Sequence, residues 1–226
     1  MDSLTFIIPA YNDGVTIESL VEKTAGFGKK LHIPFDMLVV NDASRDSTGR
    51  ILHRLTGYYP NLRIITHTKN AGYGRTIKEL YQKARHEWLF SLPGDYQIEP
   101  GELAHLWPHR KEADVIIGWR RDRQDTTARV NQSRVYNALL RLLFGLTLND
   151  ANSVRLMKTS VMKSVSLTSS SAFVDAQLAI MAKRAGLQVI EIPIAHHART
   201  GSGASGGKLS TILLTIRDMI QFRLFP

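Results

Sequence analysis

Asp95 lies in the segment SLPGDYQIEP (residues 91–100), immediately after an apolar run with the length and composition of a buried strand. A carboxylate in that place has two chemical interpretations. It can hold a divalent cation against phosphate groups, because hard cations take oxygen ligands, or it can be an acid that only stabilises a turn. The choice depends on which other polar side chains the fold brings to the same place.

Polar and aromatic residues also follow four other apolar runs along the chain. The five segments that follow such runs are residues 9–13, 41–44, 70–74, 94–97 and 119–120. The carboxyl ends of parallel strands meet at one edge of a sheet, where ligands bind. Taken singly, Asp13 or Asp42 could be a helix cap. Together, the five segments predict one site, with a base and ribose at the first two turns and phosphates further along.

Basic residues outnumber acidic ones, and the formal charge of +9 favours an anionic partner. Six arginines are clustered in the middle of the chain: Arg120, Arg121, Arg123, Arg129, Arg134 and Arg141. Guanidinium groups bind phosphate through paired hydrogen bonds, although each arginine alone could belong to a solvated basic face. Aromatic residues are not interleaved with these arginines as a nucleic-acid stacking surface requires. We therefore expect a phosphorylated substrate or an acidic lipid surface and no nucleic acid.

The elements that must position these residues follow from the apolar periodicity. Short buried-strand runs occupy residues 4–8, 36–40, 62–66, 88–92 and 114–118, and helical patterns between them occupy 15–25, 47–55, 75–85 and 101–111. Further strands are predicted at 153–157 and 188–192, and further helices at 130–145, 173–185 and from 209. This alternation is typical of parallel βαβ units. The predicted fold class is α/β, a doubly wound, mostly parallel sheet with helices on both faces, in one domain.

Motifs and composition exclude several functional classes. The sequence has neither a P-loop nor the glycine fingerprint of a dinucleotide-binding site. It contains no cysteine and residues 1–8 do not resemble a secretory signal, so we expect a reducing, cytoplasmic compartment. No apolar window reaches the roughly 18 residues of a membrane span. The pattern after residue 209 is apolar on one side, and that side either packs on the domain or contacts a membrane surface.

Seven segments occur in the order seen in family 2 glycosyltransferases: IIPAYND (7–13), VVNDASRDST (39–48), NAGYG (70–74), PGDYQIEP (93–100), GWR (118–120), NDANSVRLM (149–157) and VIEIPI (189–194). The chain most closely resembles the dolichyl- and polyprenyl-phosphate sugar synthase branch, which includes dolichol-phosphate mannosyltransferase-like enzymes. This resemblance implies a GT-A fold and inverting transfer from a nucleotide-diphosphate sugar to a polyprenyl phosphate. It also implies a donor-binding half at residues 1–118 and an acceptor-binding half at residues 119–226.

The resemblance assigns nucleotide-sugar-binding roles to residues at the first three turns. Pro9, Tyr11 and Asp13 match the turn that cradles the nucleotide, with aspartate here in place of the usual glutamate. Asp42 matches an acid that contacts the base, and Gly72 lies in the glycine turn that follows the third strand.

Asp95 and Gln97 match the family's last acid and glutamine of D-A-D-x-Q, which hold a divalent cation against the diphosphate. The implied cofactor is Mg²⁺ or Mn²⁺. Pro93 stands where the first acid of that motif is expected, so we expect weaker metal binding than with two acids. Arg199 resembles the start of a loop that closes over the donor, and the glycine-rich stretch 200–208 after it is predicted to be mobile.

The resemblance places the acceptor phosphate near Arg120, Arg129 and Ser133. A phosphate monoester is anionic near neutral pH, so its transfer needs positioning and charge stabilisation by Asp95, Arg120 and Arg129 but no protein base. A hydroxyl acceptor would need a general base, for which Asp150 and Asp175 are the candidates. A third hypothesis, prompted by Pro93, is a nucleotide-sugar-binding protein with little or no transferase activity.

Overall fold

One mixed sheet forms the centre of the computed structural model, which describes residues 2–121, 126–198 and 209–225. In chain order its strands are β1 (Leu4–Ala10), β2 (Phe35–Asn41), β3 (Leu62–Thr66), β4 (Trp88–Ser91), β5 (Val115–Arg120), β6 (Arg155–Lys158) and β7 (Val189–Ile194). Their spatial order is β3-β2-β1-β4-β6-β5-β7. Because the early apolar runs coincide with β1 to β5, the predicted α/β class is confirmed.

Strand β6 runs against its neighbours. The β1–β2, β1–β4, β2–β3 and β5–β7 pairs are parallel, whereas β6 is antiparallel to both β4 and β5. Leu156 lies opposite Phe90 on one side and Ile116 on the other. The reversal brings the segment that precedes β6 to the edge where β4 and β5 end, and there the Gly118 amide donates to the Val154 carbonyl at 2.8 Å.

Helices cover both faces of the sheet. They are α1 (Ile17–Lys30), α2 (Thr48–Thr56), α3 (Tyr73–Lys83), α4 (Leu103–Leu106), α5 (Thr127–Phe144), α6 (Phe173–Arg184) and α7 (Leu209–Leu224). Alternate residues of β1 serve two cores, as the pleat requires: Phe6 and Ile8 pack with α1, α2 and α4, and Ile7 packs with α3, α5, α6 and α7. Burial of each such side chain stabilises the fold by about 1.5–3 kcal/mol.

The helix predicted at residues 101–111 is interrupted. A 3₁₀ turn at Pro100–Glu102 leads into the single turn of α4, and a second 3₁₀ turn covers Trp107–Lys111. Pro108 has no amide hydrogen to donate, so regular α-helical bonding ends just before it. Across the part of the chain that is described, no helix has the length and apolar character that crossing a bilayer requires.

Candidate active site

A crevice of about 590 Å³ opens at the carboxyl ends of the parallel strands. Most of the predicted site residues line it: Pro9, Tyr11, Asp13, Asp42, Gly72, Asp95, Gln97, Arg120 and Arg129. Ser133 lies on α5 and does not line this crevice as described, and Arg199 and the stretch 200–208 lie outside the described residues. The fold therefore brings three acids and two arginines of the predicted site together in one cavity.

The turn after β1 and the loop that carries Asp95 are fastened to each other. The Asp13 carboxylate accepts a hydrogen bond from the Tyr11 amide at 2.9 Å, and the Thr16 hydroxyl donates to the Gly94 carbonyl at 2.7 Å. A Cβ atom at Gly94 would overlap the Asp13 carboxylate and lie 2.8 Å from the carbonyl oxygen of Pro9. Glycine at position 94 thus allows the close approach that sets Asp95 beside the first turn.

Asp42 organises the turn that follows β3. Its carboxylate accepts hydrogen bonds from the amides of Ala71 at 2.7 Å and Gly72 at 2.9 Å, and its carbonyl accepts one from the Asn70 side chain at 3.1 Å. Gly72 has a φ of 83°, a conformation that glycine adopts without strain. Asp42 therefore holds in place the turn at residues 70–72, which forms part of the crevice wall.

His67 is a neighbour of this turn that the sequence analysis did not identify. Its Nδ1 lies 2.7 Å from Asp42 and its Nε2 lies 2.8 Å from Glu79 on α3. Partial burial alone would lower the pKa of His67, but the hydrogen bonds to the two carboxylates outweigh it and raise the pKa above the ordinary value. A lone histidine after a strand carries no sequence signal for this arrangement.

The loop with Asp95 and Gln97 is held in a tight turn. Tyr96 has a φ of 58°, and the Gln97 amide donates to the Asp95 carboxylate at 3.2 Å. The Gln97 backbone carbonyl accepts from the His197 amide at 2.9 Å, and its side-chain Nε2 donates to the His197 carbonyl at 3.5 Å. His196, a buried residue missed by the sequence analysis, lines the crevice next to this contact.

The donor set in this loop is one carboxylate and one amide. Among residues 2–121, 126–198 and 209–225, no three acidic or histidine side chains form a metal-binding group. The side-chain nitrogen of Gln97 donates to the His197 carbonyl. The side-chain oxygen is therefore the atom of Gln97 that could coordinate a cation. Mg²⁺ is commonly held by one or two carboxylates together with substrate phosphates, so these residues fit a cation that arrives with a diphosphate.

A buried ion pair lies at the end of β5. Arg120 donates two hydrogen bonds to the buried Asp150 carboxylate, from Nε at 2.6 Å and from Nη2 at 2.8 Å. The Asp150 amide donates to Glu191 at 2.9 Å, which fixes the turn before β6. Arg129, in the first turn of α5, lines the same crevice. The bidentate geometry sets the position of the Arg120 guanidinium at the crevice wall.

A second ion pair lies in the core. Arg155 is 1% exposed and its Nη2 lies 3.0 Å from the Asp175 carboxylate. Asp175 also accepts hydrogen bonds from the hydroxyls of Tyr73 at 2.7 Å and Tyr81 at 3.3 Å. Burial raises the pKa of Asp175, and Arg155 opposes that rise. Both candidate general bases, Asp150 and Asp175, are thus bonded to arginine side chains, and neither is among the described residues that line the crevice.

The loop before α6 connects α7 to the crevice. Asp218 on α7 accepts hydrogen bonds from the Ser169 hydroxyl at 2.8 Å and from the Ser170 and Ser171 amides at 3.0 and 3.1 Å. Ser170 and Ser171 in turn line the crevice beside Gly74. The Gly74 Cα packs directly on this loop, and an added Cβ would overlap Ser170 and lie 2.7 Å from the Ser171 carbonyl.

Replacing Gly74 with alanine is therefore expected to push the serine loop away from α3 and to lower the free energy of unfolding by about 1–3 kcal/mol. Urea denaturation followed by circular dichroism measures this change. Gly26→Ala is the matched control, because nothing lies within 4 Å of a Cβ at that helical position, and alanine there should stabilise the protein by about 0.5–1 kcal/mol. Equal effects of the two substitutions would contradict the described packing.

Comparisons with known proteins identify the family of the chain. The sequence family described as Glycosyl transferase family 2 matches residues 5–168. The chain belongs to glycosyl transferase family 2. The family 2 match covers β1 from its second residue, all of β2 to β6, and all the described residues predicted to have donor and acceptor roles.

Two curated relatives indicate the branch. This family 2 chain is 26% identical to a dodecaprenyl-phosphate galacturonate synthase of Rhizobium johnstonii, over 98% of the chain and 67% of the relative. It is also 26% identical to an undecaprenyl-phosphate 4-deoxy-4-formamido-L-arabinose transferase of Edwardsiella ictaluri, over 93% of the chain and 65% of the relative. The chain spans about two thirds of the length of these relatives.

Solved structures establish the GT-A fold. Glucosyl-3-phosphoglycerate synthase from Mycobacterium tuberculosis, in complex with Mn²⁺, UDP and glucosyl-3-phosphoglycerate, aligns with a TM-score of 0.72 at 15% identity, over 98% of this family 2 chain and 80% of the synthase. The same synthase with Mg²⁺ and UDP aligns with a TM-score of 0.71 at 15% identity, over 98% and 79% of the two chains. Divalent cations are thus found with proteins of this fold.

Proposed function

We propose that the chain transfers a sugar, with inversion, from a nucleotide-diphosphate sugar to a polyprenyl phosphate. The observation that carries this proposal is that both candidate general bases are paired with arginine side chains. Asp150 is bonded to Arg120 and Asp175 to Arg155, an arrangement that suits an acceptor already carrying negative charge. A hydroxyl acceptor needs a base to remove its proton. The names of the two curated relatives support the same acceptor class.

In the proposed reaction an acceptor phosphate oxygen forms a bond to the anomeric carbon as the bond to the diphosphate oxygen breaks. The electron pair of the broken bond stays on the nucleoside diphosphate, and no proton is transferred. Arg129 and Arg120 orient the acceptor phosphate, and Asp42 with the turn at residues 70–72 holds the donor. Asp95 and Gln97 would hold Mg²⁺ or Mn²⁺, which supplies charge stabilisation to the departing diphosphate.

A transfer assay tests the proposal. The full chain is incubated with undecaprenyl phosphate in detergent, Mn²⁺, and labelled UDP-, GDP- or dTDP-sugars, and label is counted in the lipid fraction. Label from one donor, with the product's anomeric configuration opposite to that of the donor, is the expected result. Binding of a nucleotide sugar without transfer to lipid would favour the binding-protein hypothesis, and transfer to a hydroxyl acceptor alone would favour the second alternative.

We further propose that α7 and α5 place the crevice at the surface of a membrane, at its cytoplasmic face. The side of α7 predicted to be apolar is exposed, with Leu209, Leu213, Ile216, Ile220 and Leu224 along it. On α5, the apolar Val135 and Leu142 are exposed, next in sequence to Arg134 and Arg141. Thr211 and Leu214 of α7 line the crevice, so lipid contact along this helix would bring a polyprenyl phosphate to the acceptor side. Apolar and basic groups together are typical of membrane-surface helices.

The variant Leu213→Ser/Ile220→Ser is expected to bind anionic vesicles about 100-fold more weakly, since each lost side chain removes about 1.5 kcal/mol of transfer free energy. Flotation with vesicles containing phosphatidylglycerol measures the bound fraction. Tyr58→Ser removes an apolar side chain that is also exposed but lies after α2, and it should leave vesicle binding unchanged. Equal losses for both variants would contradict an α7 contact.

A further inference from the structure

The His67 ring is bonded to carboxylates at both nitrogens. Nδ1 lies 2.7 Å from Asp42 Oδ1 and Nε2 lies 2.8 Å from Glu79 Oε2. A neutral imidazole carries one N–H, whereas an ionised carboxylate can only accept hydrogen bonds. Both short contacts are therefore hydrogen bonds only when the ring is the doubly protonated imidazolium. With both carboxylates ionised, this geometry requires a positive charge on His67.

The same Asp42 carboxylate holds the wall of the crevice. Oδ1, which His67 contacts, also accepts the Ala71 amide at 2.7 Å, and Oδ2 accepts the Gly72 amide at 2.9 Å. The His67 backbone amide donates to the Asn41 carbonyl at 3.0 Å, so the ring is anchored to the end of β2 as well. Removing the proton from the ring would leave one nitrogen lone pair facing a carboxylate oxygen.

We propose that His67 is a positioning residue of the nucleotide pocket: as the imidazolium, it fixes Asp42 in the orientation that holds the Ala71 and Gly72 amides at the crevice wall. This inference rests on the proposed function for its ligand, a nucleoside diphosphate or its sugar ester. His67 itself does not line the crevice, and neither does Glu79, which orients the imidazole from α3.

The arrangement has a consequence for pH. In the described chain the ionisable groups that interact with His67 are Asp42, at the end of β2, and Glu79 on α3. The pKa of His67 lies above its ordinary value of 6.5. The imidazolium and its two hydrogen bonds are therefore fully formed below pH 6.5 and are lost as the pH rises through the raised pKa of His67. Donor affinity should follow the same curve and weaken at higher pH.

Nuclear magnetic resonance tests the structural part without any ligand. Between pH 5.5 and 8.5, the imidazole resonances of His67 and the amide resonances of Ala71 and Gly72 are expected to titrate with one shared midpoint. Glu79→Gln removes one of the two carboxylates and should move that midpoint down by about one pH unit or more. A wild-type midpoint at or below 6.5, or amide resonances that do not follow His67, would overturn the inference.

Calorimetry tests the functional part, with UDP-glucose and GDP-mannose as probes and Mg²⁺ held constant. Affinity for the probe that binds is expected to fall about tenfold across the His67 midpoint. In Glu79→Gln the fall in affinity should occur at lower pH. In His67→Gln the affinity should be low at every pH and should not change with pH.

Affinity that stays constant across the wild-type midpoint would reject the role of His67 and leave the proposed function intact. Absence of binding by any nucleotide sugar, with the shared titration present, would reject the proposed function instead.

Discussion

Replacing Asp95 with asparagine is expected to lower the sugar-transfer rate by about 10²–10³-fold and to abolish the rise in melting temperature that Mg²⁺ or Mn²⁺ causes with a nucleotide sugar. Asparagine keeps an oxygen that can accept the Gln97 amide hydrogen bond, so the turn itself is preserved. What is lost is the negative charge that we propose holds the cation against the diphosphate, in a loop where Pro93 supplies no second acid. Labelled transfer and thermal denaturation measure the two effects.

Glu99→Gln is the matched control for Asp95. Glu99 belongs to the same segment, but its carboxylate pairs with Lys23 at 3.2 Å and accepts from the Tyr96 hydroxyl at 3.0 Å at the surface. An exposed pair of this kind contributes at most about 1 kcal/mol, so the control should keep its transfer rate and its metal response. A metal-dependent shift that is unchanged in Asp95→Asn would exclude the proposed cation site.

The second large effect is expected from Arg155→Met, which should lower the free energy of unfolding by about 3–5 kcal/mol. The substitution leaves the Asp175 carboxylate buried, with the Tyr73 and Tyr81 hydroxyls as its remaining side-chain donors among the hydrogen bonds described. A buried charge without its counter-charge is costly because the interior solvates it poorly. Urea denaturation at neutral pH measures the loss.

Two further variants distinguish the loss of the buried ion pair from the effect of replacing any arginine. Arg54→Met removes a guanidinium that pairs with Glu18 at the surface and should cost less than about 1 kcal/mol. The double variant Arg155→Met/Asp175→Leu removes both buried charges and should be more stable than Arg155→Met alone. Loss of stability in Arg155→Met no greater than in Arg54→Met would show that the core pair is not a source of stability.

Local pattern accounts for much of the fold. The run predicted at residues 62–66 is β3, and the run at 88–92 differs from β4 by one residue, because short apolar runs with β-branched residues are read directly from sequence. The direction of β6 was not predictable in this way. The alternation of apolar and polar side chains along a strand shows which face is buried. This alternation is the same in parallel and in antiparallel strands, so it does not give the direction of β6.

The site was predictable where strand ends converge, and not where side chains meet across elements. Asp42 and Asp95 follow strands, so their place in the crevice follows from the topology of the sheet. The ion pair of Asp150 with Arg120 joins residues 30 apart, and the contact of His67 with Glu79 depends on how α3 packs on β1 and β2. No spacing rule within one helix or strand specifies such contacts.

The antiparallel strand β6 also affects how the chain folds during its synthesis. Arg155 at its start bonds to Ser91 at the end of β4, 64 residues earlier, which corresponds to roughly 3–13 s of synthesis. During that interval the edge of β4 has no partner, and open strand edges of this kind promote association between chains. The half predicted to bind the donor, if cut at residue 118, would retain most of β5 and neither of the strands that flank it.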